Sequence, residues 1–265
     1  MPVVVTGASG PVGRALVPRL VAAGSEVRAL VSRQAAADRL RELGAKVAVG
    51  DAADPELLPA VLRDAHTLCH LMDGLFLDED HYVPAIAGTA QATVEAAKEA
   101  ELARILFLSY PGADPDSANA YLRAVGMAEE AVGDSGVEHV VVRSTLVVAS
   151  DARWPMMLRR GGQRLAPVYV EDLAAVLAAA DDRAQPVSGT FALQGPDTVT
   201  AAEFIGLVRR ESRRKLTLRK PHISPAAAEI LSSDSLADAP DAAAEFGVKL
   251  TPLSEALRAS GITAA

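Results

Sequence analysis

One cysteine, Cys69, serves a chain of 265 residues, so an internal disulfide is excluded and a reducing, cytoplasmic compartment is the natural setting. It lies in the apolar run "HTLCHL", where an inert core thiol is the plain reading and a reactive one the rarer alternative. Aromatic residues are scarce, at 4%, while half of the chain is apolar. The core is therefore aliphatic, and a chain of this length needs no staples to build it. Basic charge is also short: 26 Lys and Arg meet 34 Asp and Glu. The net charge of −8 repels nucleic acid and anionic membranes at long range. No apolar run approaches the roughly 20 residues that cross a bilayer. The first β-rich run starts almost at Met1, which leaves no room for a signal or transit peptide. Internal repeats and low-complexity linkers are absent as well.

What the chain has is alternation. Strand-like runs at 3–6, 26–31, 46–49, 67–71, 104–109, 138–143 and 190–194 are separated by helical patterns, the mark of βαβ units and a parallel sheet. Several runs are apolar throughout, as strands covered on both faces are. Val12, Ala15, Leu16 and Leu20 recur at helical spacing until Gly24, with Pro18 as a kink or a lost hydrogen bond. Asp54 and Pro55 read as the cap and first turn of "ELLPAVLRDA". Longer helices are predicted from about 83 to 101 and from about 120 to 134. After Arg143 the alternation fails, then "VYVEDLAAVLAAA" resumes a helix. The predicted fold is a doubly wound α/β Rossmann fold with a small substrate-binding lobe. Residues 1–143 with 168–194 form the dinucleotide-binding core, and 144–167 with 195–265 the lobe, closing over the ends of the sheet where such folds bind ligands.

"VVVTGASGPVGRALV" places Gly7, Gly10 and Gly13 between a strand and a helix. Glycine permits positive φ and close approach of a phosphate, and amides at a helix start bind a diphosphate. Ser9, Pro11 and Val12 belong to the same turn. This G-x-x-G-x-x-G spacing, followed by "GD" at 50–51, "AGT" at 87–89, "LFLSY" at 106–110, "AYLRAVGMAEE" at 120–130, "VVVRST" at 140–145 and "VYVEDLA" at 168–174, resembles the short-chain dehydrogenase/reductase superfamily. The resemblance is to its extended or atypical branch, which includes NmrA-like proteins. It covers most of the chain but not the C-terminal tail.

The residue about 20 positions beyond such a turn separates the two nicotinamide dinucleotides. Here "LVSRQ" supplies Ser32 and Arg33 and no acid. A guanidinium grips a 2′-phosphate through paired bonds and a serine adds another, which favours NADP(H) over NAD(H). The other reading of Arg33 is an exposed residue at a strand end. The resemblance places Asp51 at adenine, where its rival role is a turn or cap, and Leu71 and Met72 along the adenosine side.

The resemblance also implies a tyrosine that moves the proton at the reacting oxygen, a serine before it that bonds the substrate, and a lysine four residues after. Ser109 and Tyr121 match in order and separation; Val125 stands where the lysine belongs. A free tyrosine has a pKa of about 10, so use as a base at pH 7 asks for a lowering of roughly 3, or about 4 kcal/mol. Valine supplies none of it. As an acid, neutral tyrosine is already protonated, so carbonyl reduction survives the loss better than alcohol oxidation does. Pocket lining is the alternative role for both Ser109 and Tyr121.

Other candidates compete with plainer roles. Asp73, Asp78, Glu79, Asp80 and His81 form a cation site or a solvated acidic loop. Tyr82 is a second proton donor or a core residue. His66, His70, His139 and His222 lack metal-ligand spacing, so no metal is expected. Trp154, Met156 and Met157 line a hydrophobic substrate site or pack the lobe. The basic stretch 209–220 carries no DNA-binding motif and reads as a solvated face. The expected partner is a small, apolar organic substrate, with no nucleic acid or membrane and with room for a homo-oligomer. The leading function is an NADPH-dependent reductase, or a related epimerase or dehydratase. The alternatives are a non-catalytic dinucleotide sensor and a non-redox isomerase or cyclase.

Overall fold

Valine-rich runs bounded by glycine and acidic turns dictate strands, and in the computed structural model they form one parallel sheet. The structure describes residues 2–71, 74–150, 152, 154–159, 161–211 and 223–261. In chain order the first half runs β1 (Val3–Thr6), α1 (Pro11–Ala22), β2 (Val27–Val31), α2 (Ala37–Glu42), β3 (Lys46–Val49), α3 (Leu57–Leu62) and β4 (Thr67–His70). It continues with α4 (Glu79–Tyr82), a π-turn over Val83–Gly88, α5 (Thr89–Glu99), β5 (Arg104–Ser109), α6 (Ala120–Gly133) and β6 (Glu138–Ser144). Then come β7 (Val147–Val148), β8 (Arg164–Leu165), β9 (Val168–Tyr169), α7 (Val170–Asp182) and β10 (Gly189–Leu193). The tail holds β11 (Val199–Thr200), α8 (Ala201–Glu211), α9 (Pro225–Ile230), α10 (Ala242–Glu245) and α11 (Leu253–Ser260).

The seven-stranded sheet has the order β10-β6-β5-β4-β1-β2-β3, parallel throughout. The order reverses between β1 and β4, and that switch point opens a crevice at the strand ends. One face packs Leu68, Ile105, Phe107 and Val141 in the core shared with α3, α5 and α6. The other packs Val5, Cys69, Leu106 and Val140 with α1 and α7. Burial pushes the Cys69 thiol well above its usual pKa, which keeps it protonated and inert. Two-stranded pairs β7–β9 and β8–β11 lie beside the sheet. Asp54 caps α3, accepting the N–H groups of Glu56 and Leu57 at 2.9 and 3.1 Å.

One feature departs from the sequence expectations. The helix expected from about 83 begins at Glu79, and its Val83–Gly88 segment, with Pro84 at the start, is wound as a π-turn. Pro18 is accommodated inside an unbroken α1. Arg104 is buried at 4% exposure despite its charge. It pairs with Glu138 at 2.7 Å and donates to the carbonyls of Ala180 and Arg183, at the C-terminal end of α7, where a cation is favoured. On the outer side of β10, Ala192 donates to the Pro240 carbonyl at 2.8 Å and pairs with Asp241. Among the described residues no helix is long and apolar enough to cross a membrane.

Candidate functional site

A cleft of about 820 Å³ runs along the ends of β1, β2, β4, β5 and β6. Its first wall is the glycine turn, Gly7, Ser9, Gly10, Pro11, Val12 and Gly13. Gly7 has φ +70°, and a Cβ there would stand 2.7 Å from the Leu71 carbonyl oxygen. A Cβ on Gly13 would meet the Ala8 backbone at 2.5 Å. Only glycine lets the turn lie this close to β4 and to itself. Gly10 caps α1 without any side-chain hydrogen bond, and Pro11 opens the helix with no donor of its own. The remaining first-turn amides and the positive end of the helix dipole are thus available to an anion.

Ser32, Arg33 and Asp51 line the cleft beyond β2 and β3, and all three are exposed. Asp51 also accepts the Ala53 N–H at 2.9 Å, so the turn role is realised there beside the place on the wall. Arg14, which sequence reasoning passed over, lines the same end and donates to the Ser9 carbonyl. Its signal was an arginine directly after the third glycine. Leu71 is buried on the wall, and Met72 lies outside the described residues.

At the far end the structure brings together Ser109 from β5 with Tyr121 and Val125 from α6. Asn119 fixes the start of α6, accepting the N–H groups of Tyr121 and Leu122 at 3.1 and 3.3 Å while its amide donates to Ala226 and Glu229 of the tail. Tyr121 and Val125, four apart, share the buried face. The Tyr121 ring meets Tyr82 and Tyr110 edge-on, with centroids 5.5 and 6.1 Å away. Ser109 donates to Glu129, and Arg143 grips that carboxylate through Nε at 2.9 Å and Nη2 at 2.7 Å. Glu129 and Arg143 were not among the sequence candidates.

Leu75, Phe76, Ile86, Leu146 and Trp154 make this end apolar. Trp154 lines the cleft and stacks on Phe204 of α8 at 4.8 Å, its Nε1 donating to the Val147 carbonyl at 2.7 Å. Met157 is half-buried against the core; the Met156 side chain lies outside the described residues.

Several candidates fall away from the cleft. Tyr82 is fully buried, donates to the Leu75 carbonyl at 3.0 Å and lies 2.6 Å from Ser224 Oγ, so it is a core residue and does not reach the cleft. Asp78, Glu79, Asp80 and His81 are exposed, with His81 Nδ1 2.8 Å from Asp80 and Glu79 accepting the Ala226 N–H. Asp73 and His222 lie outside the described residues, among which no group of three or more His, Cys, Asp or Glu side chains is placed to hold a metal. His66 and His139 bond Thr67 and the Val137 carbonyl. Of the basic stretch, Arg209 and Arg210 are exposed at the end of α8, and 212–220 lie outside the described residues.

The family model described as NAD(P)H-binding matches residues 7–183. The chain is 29% identical over 229 residues to subunit 9 of the NADH dehydrogenase [ubiquinone] 1 alpha subcomplex of Arabidopsis thaliana mitochondria, covering 76% of this chain but only 55% of that protein. An NAD(P)H azoreductase of Xenophilus azovorans is 27% identical over 213 residues, with 75% of this chain and 72% of the azoreductase aligned. Among solved structures, the Citrobacter triphenylmethane reductase complexed with NADP(H) superposes with a TM-score of 0.77 over 98% of this chain and 100% of its own, at 20% identity. The Rossmann architecture is thereby shared in full.

Proposed function

The chain belongs to the NAD(P)H-binding family, within the extended or atypical short-chain dehydrogenase/reductase superfamily, and from that premise we propose that it is an NADP(H)-dependent reductase of an apolar organic carbonyl compound. The observation that carries the reading is the continuity of one cleft from the glycine turn to Tyr121. The site fits the dinucleotide: the turn approaches β4 too closely for any Cβ, and the start of α1 carries no side-chain cap. Gly10, Val12 and Gly13 would hold the diphosphate, and Ser32 and Arg33 a 2′-phosphate. Bound there, the nicotinamide supplies hydride.

The protein's own residues do the rest. Tyr121 holds the proton that the substrate oxygen takes up. Leu75, Phe76, Ile86 and Trp154 exclude water and receive an apolar ring. Val125 offers no ammonium to turn Tyr121 into a base, which favours reduction over oxidation. Two similar proteins carry names that point to the same chemistry, an azoreductase and a triphenylmethane reductase. We place the protein in the cytoplasm, in keeping with its single buried thiol.

Titration with NADPH and NADH, followed by melting temperature and nicotinamide fluorescence, tests the first half of this reading. Consumption of NADPH with aromatic ketones, quinones and azo dyes tests the second. Tyr121→Phe is expected to slow turnover by about 10²-fold or more. Val125 specifically favours one other reading, a dinucleotide sensor. Tight NADPH binding with no turnover of any carbonyl class would establish the sensor, and no binding of either nucleotide would overturn both.

A further inference from the structure

We propose that the substrate end of the cleft selects an apolar ring that carries a hydrogen-bond donor, a hydroxyl above all, beside its reducible group. This deepens the reductase reading, since it takes that end of the cleft as the substrate site. Ser109, Ser144 and Thr145 are the three aliphatic hydroxyls on that wall. A hydroxyl has one proton and two lone pairs. Each of the three commits its proton to the protein: Ser109 to Glu129, Ser144 to the Thr145 carbonyl at 3.0 Å and Thr145 to the Ala166 carbonyl at 2.6 Å. At these three hydroxyls the wall therefore meets a ligand with lone pairs.

The Ser109 orientation is the most firmly held. Arg143 engages both oxygens of Glu129, and a hydroxyl bond to a carboxylate is about twice as strong as one to a neutral acceptor. Turning Ser109 toward a substrate carbonyl would break that bond and leave a carboxylate of only 11% side-chain exposure short of a donor. Arg143 is itself held by Asp238 at 3.1 Å and by the Ala113 carbonyl at 2.9 Å, so the pair has no slack. Glu129 is thus a positioning residue that sets the polarity of Ser109. A carbonyl finds no donor at Ser109; a phenol or alcohol finds an acceptor. The surrounding side chains, Leu75, Phe76, Ile86, Leu146 and Trp154, accept only the apolar remainder of such a ligand.

The test compares 2-naphthol with its methyl ether, 2-methoxynaphthalene, as probes of equilibrium binding, with and without NADP⁺. The naphthol is expected to bind about tenfold more tightly than the ether, the worth of one hydrogen bond to a buried acceptor. In Glu129→Ala the serine loses its acceptor, which frees its proton to point into the cleft. The preference should then fall to about twofold or less. Ser109→Ala, which leaves the Glu129–Arg143 pair intact, should remove it too and covers the case in which the Glu129 variant fails to fold. Equal binding of the two probes, or an unchanged ratio in the variants, would overturn the assignment. Failure of NADP⁺ to bind, with the naphthol preference intact, strikes the reductase reading alone.

Discussion

His70 lies parallel to Phe107, their rings 5.6 Å apart and 10° from coplanar, in the middle of the sheet. Its Nδ1 is 3.0 Å from Thr6 Oγ1, while Nε2 finds no hydrogen-bond partner among the described residues. Burial lowers its pKa from 6.5 to about 4. Above pH 6.5 the ring is neutral folded or unfolded, and it leaves stability unchanged. Below that, the unfolded chain binds the proton first, so stability falls with pH until about 4, by up to about 3 kcal/mol. Chemical denaturation of the wild type and of His70→Phe between pH 7 and 4.5 should show a shallower loss in the variant.

Gly126 brings α6 against the loop that follows β5. A Cβ there would fall 2.3 Å from both the Asp114 carbonyl carbon and the Pro115 nitrogen, backbone atoms that cannot swing aside. Gly126→Ala should destabilise the fold by about 1–3 kcal/mol, read from denaturant midpoints. Because Val125 precedes it and Tyr121 lies just over a turn away, turnover should fall by more than the folded fraction does.

Arg33 stands exposed on the cleft wall with Ser32 and Asp51. Arg33→Ala should weaken NADPH by about 10- to 100-fold, the range for a charged hydrogen-bonded contact, and leave NADH nearly untouched. Equal losses for the two nucleotides, measured by calorimetry, would mean that Arg33 supports the fold and not the phosphate.

Val125→Lys restores a cation four residues after Tyr121 on the same helical face. A nearby ammonium favours the phenolate, so alcohol oxidation at pH 7 should gain about tenfold relative to carbonyl reduction, with its pH profile moved to lower pH. The buried valine position makes the substitution costly, and a lower melting temperature should accompany the gain.

The parts legible in the sequence are those that a single local constraint dictates. The glycine turn is one, because positive φ at Gly7 and backbone contact at Gly13 admit no other residue. The strands are another, since buried parallel strands read as apolar runs. Ser109 and Tyr121 were legible from their order alone, and the structure brings them to one wall. The Glu129–Arg143 pair was not, because its members come from α6 and β6 and neither neighbourhood signals the other. Tyr82 carried no mark that separates a cleft phenol from a core one; its burial depends on Ser224, far along the chain. The π-turn that delivers Ile86 to the cleft has no distinctive composition beyond Pro84.

The pairing of Ala192 with Pro240 and Asp241 occupies one position on the outer margin of β10. A row of unsatisfied peptide groups invites another chain to add itself as a further strand. On the β10 side the protein's own tail already occupies that row at its centre. At the other margin β3, a strand of four residues with exposed Lys46 at its head, offers only a short row to an added strand.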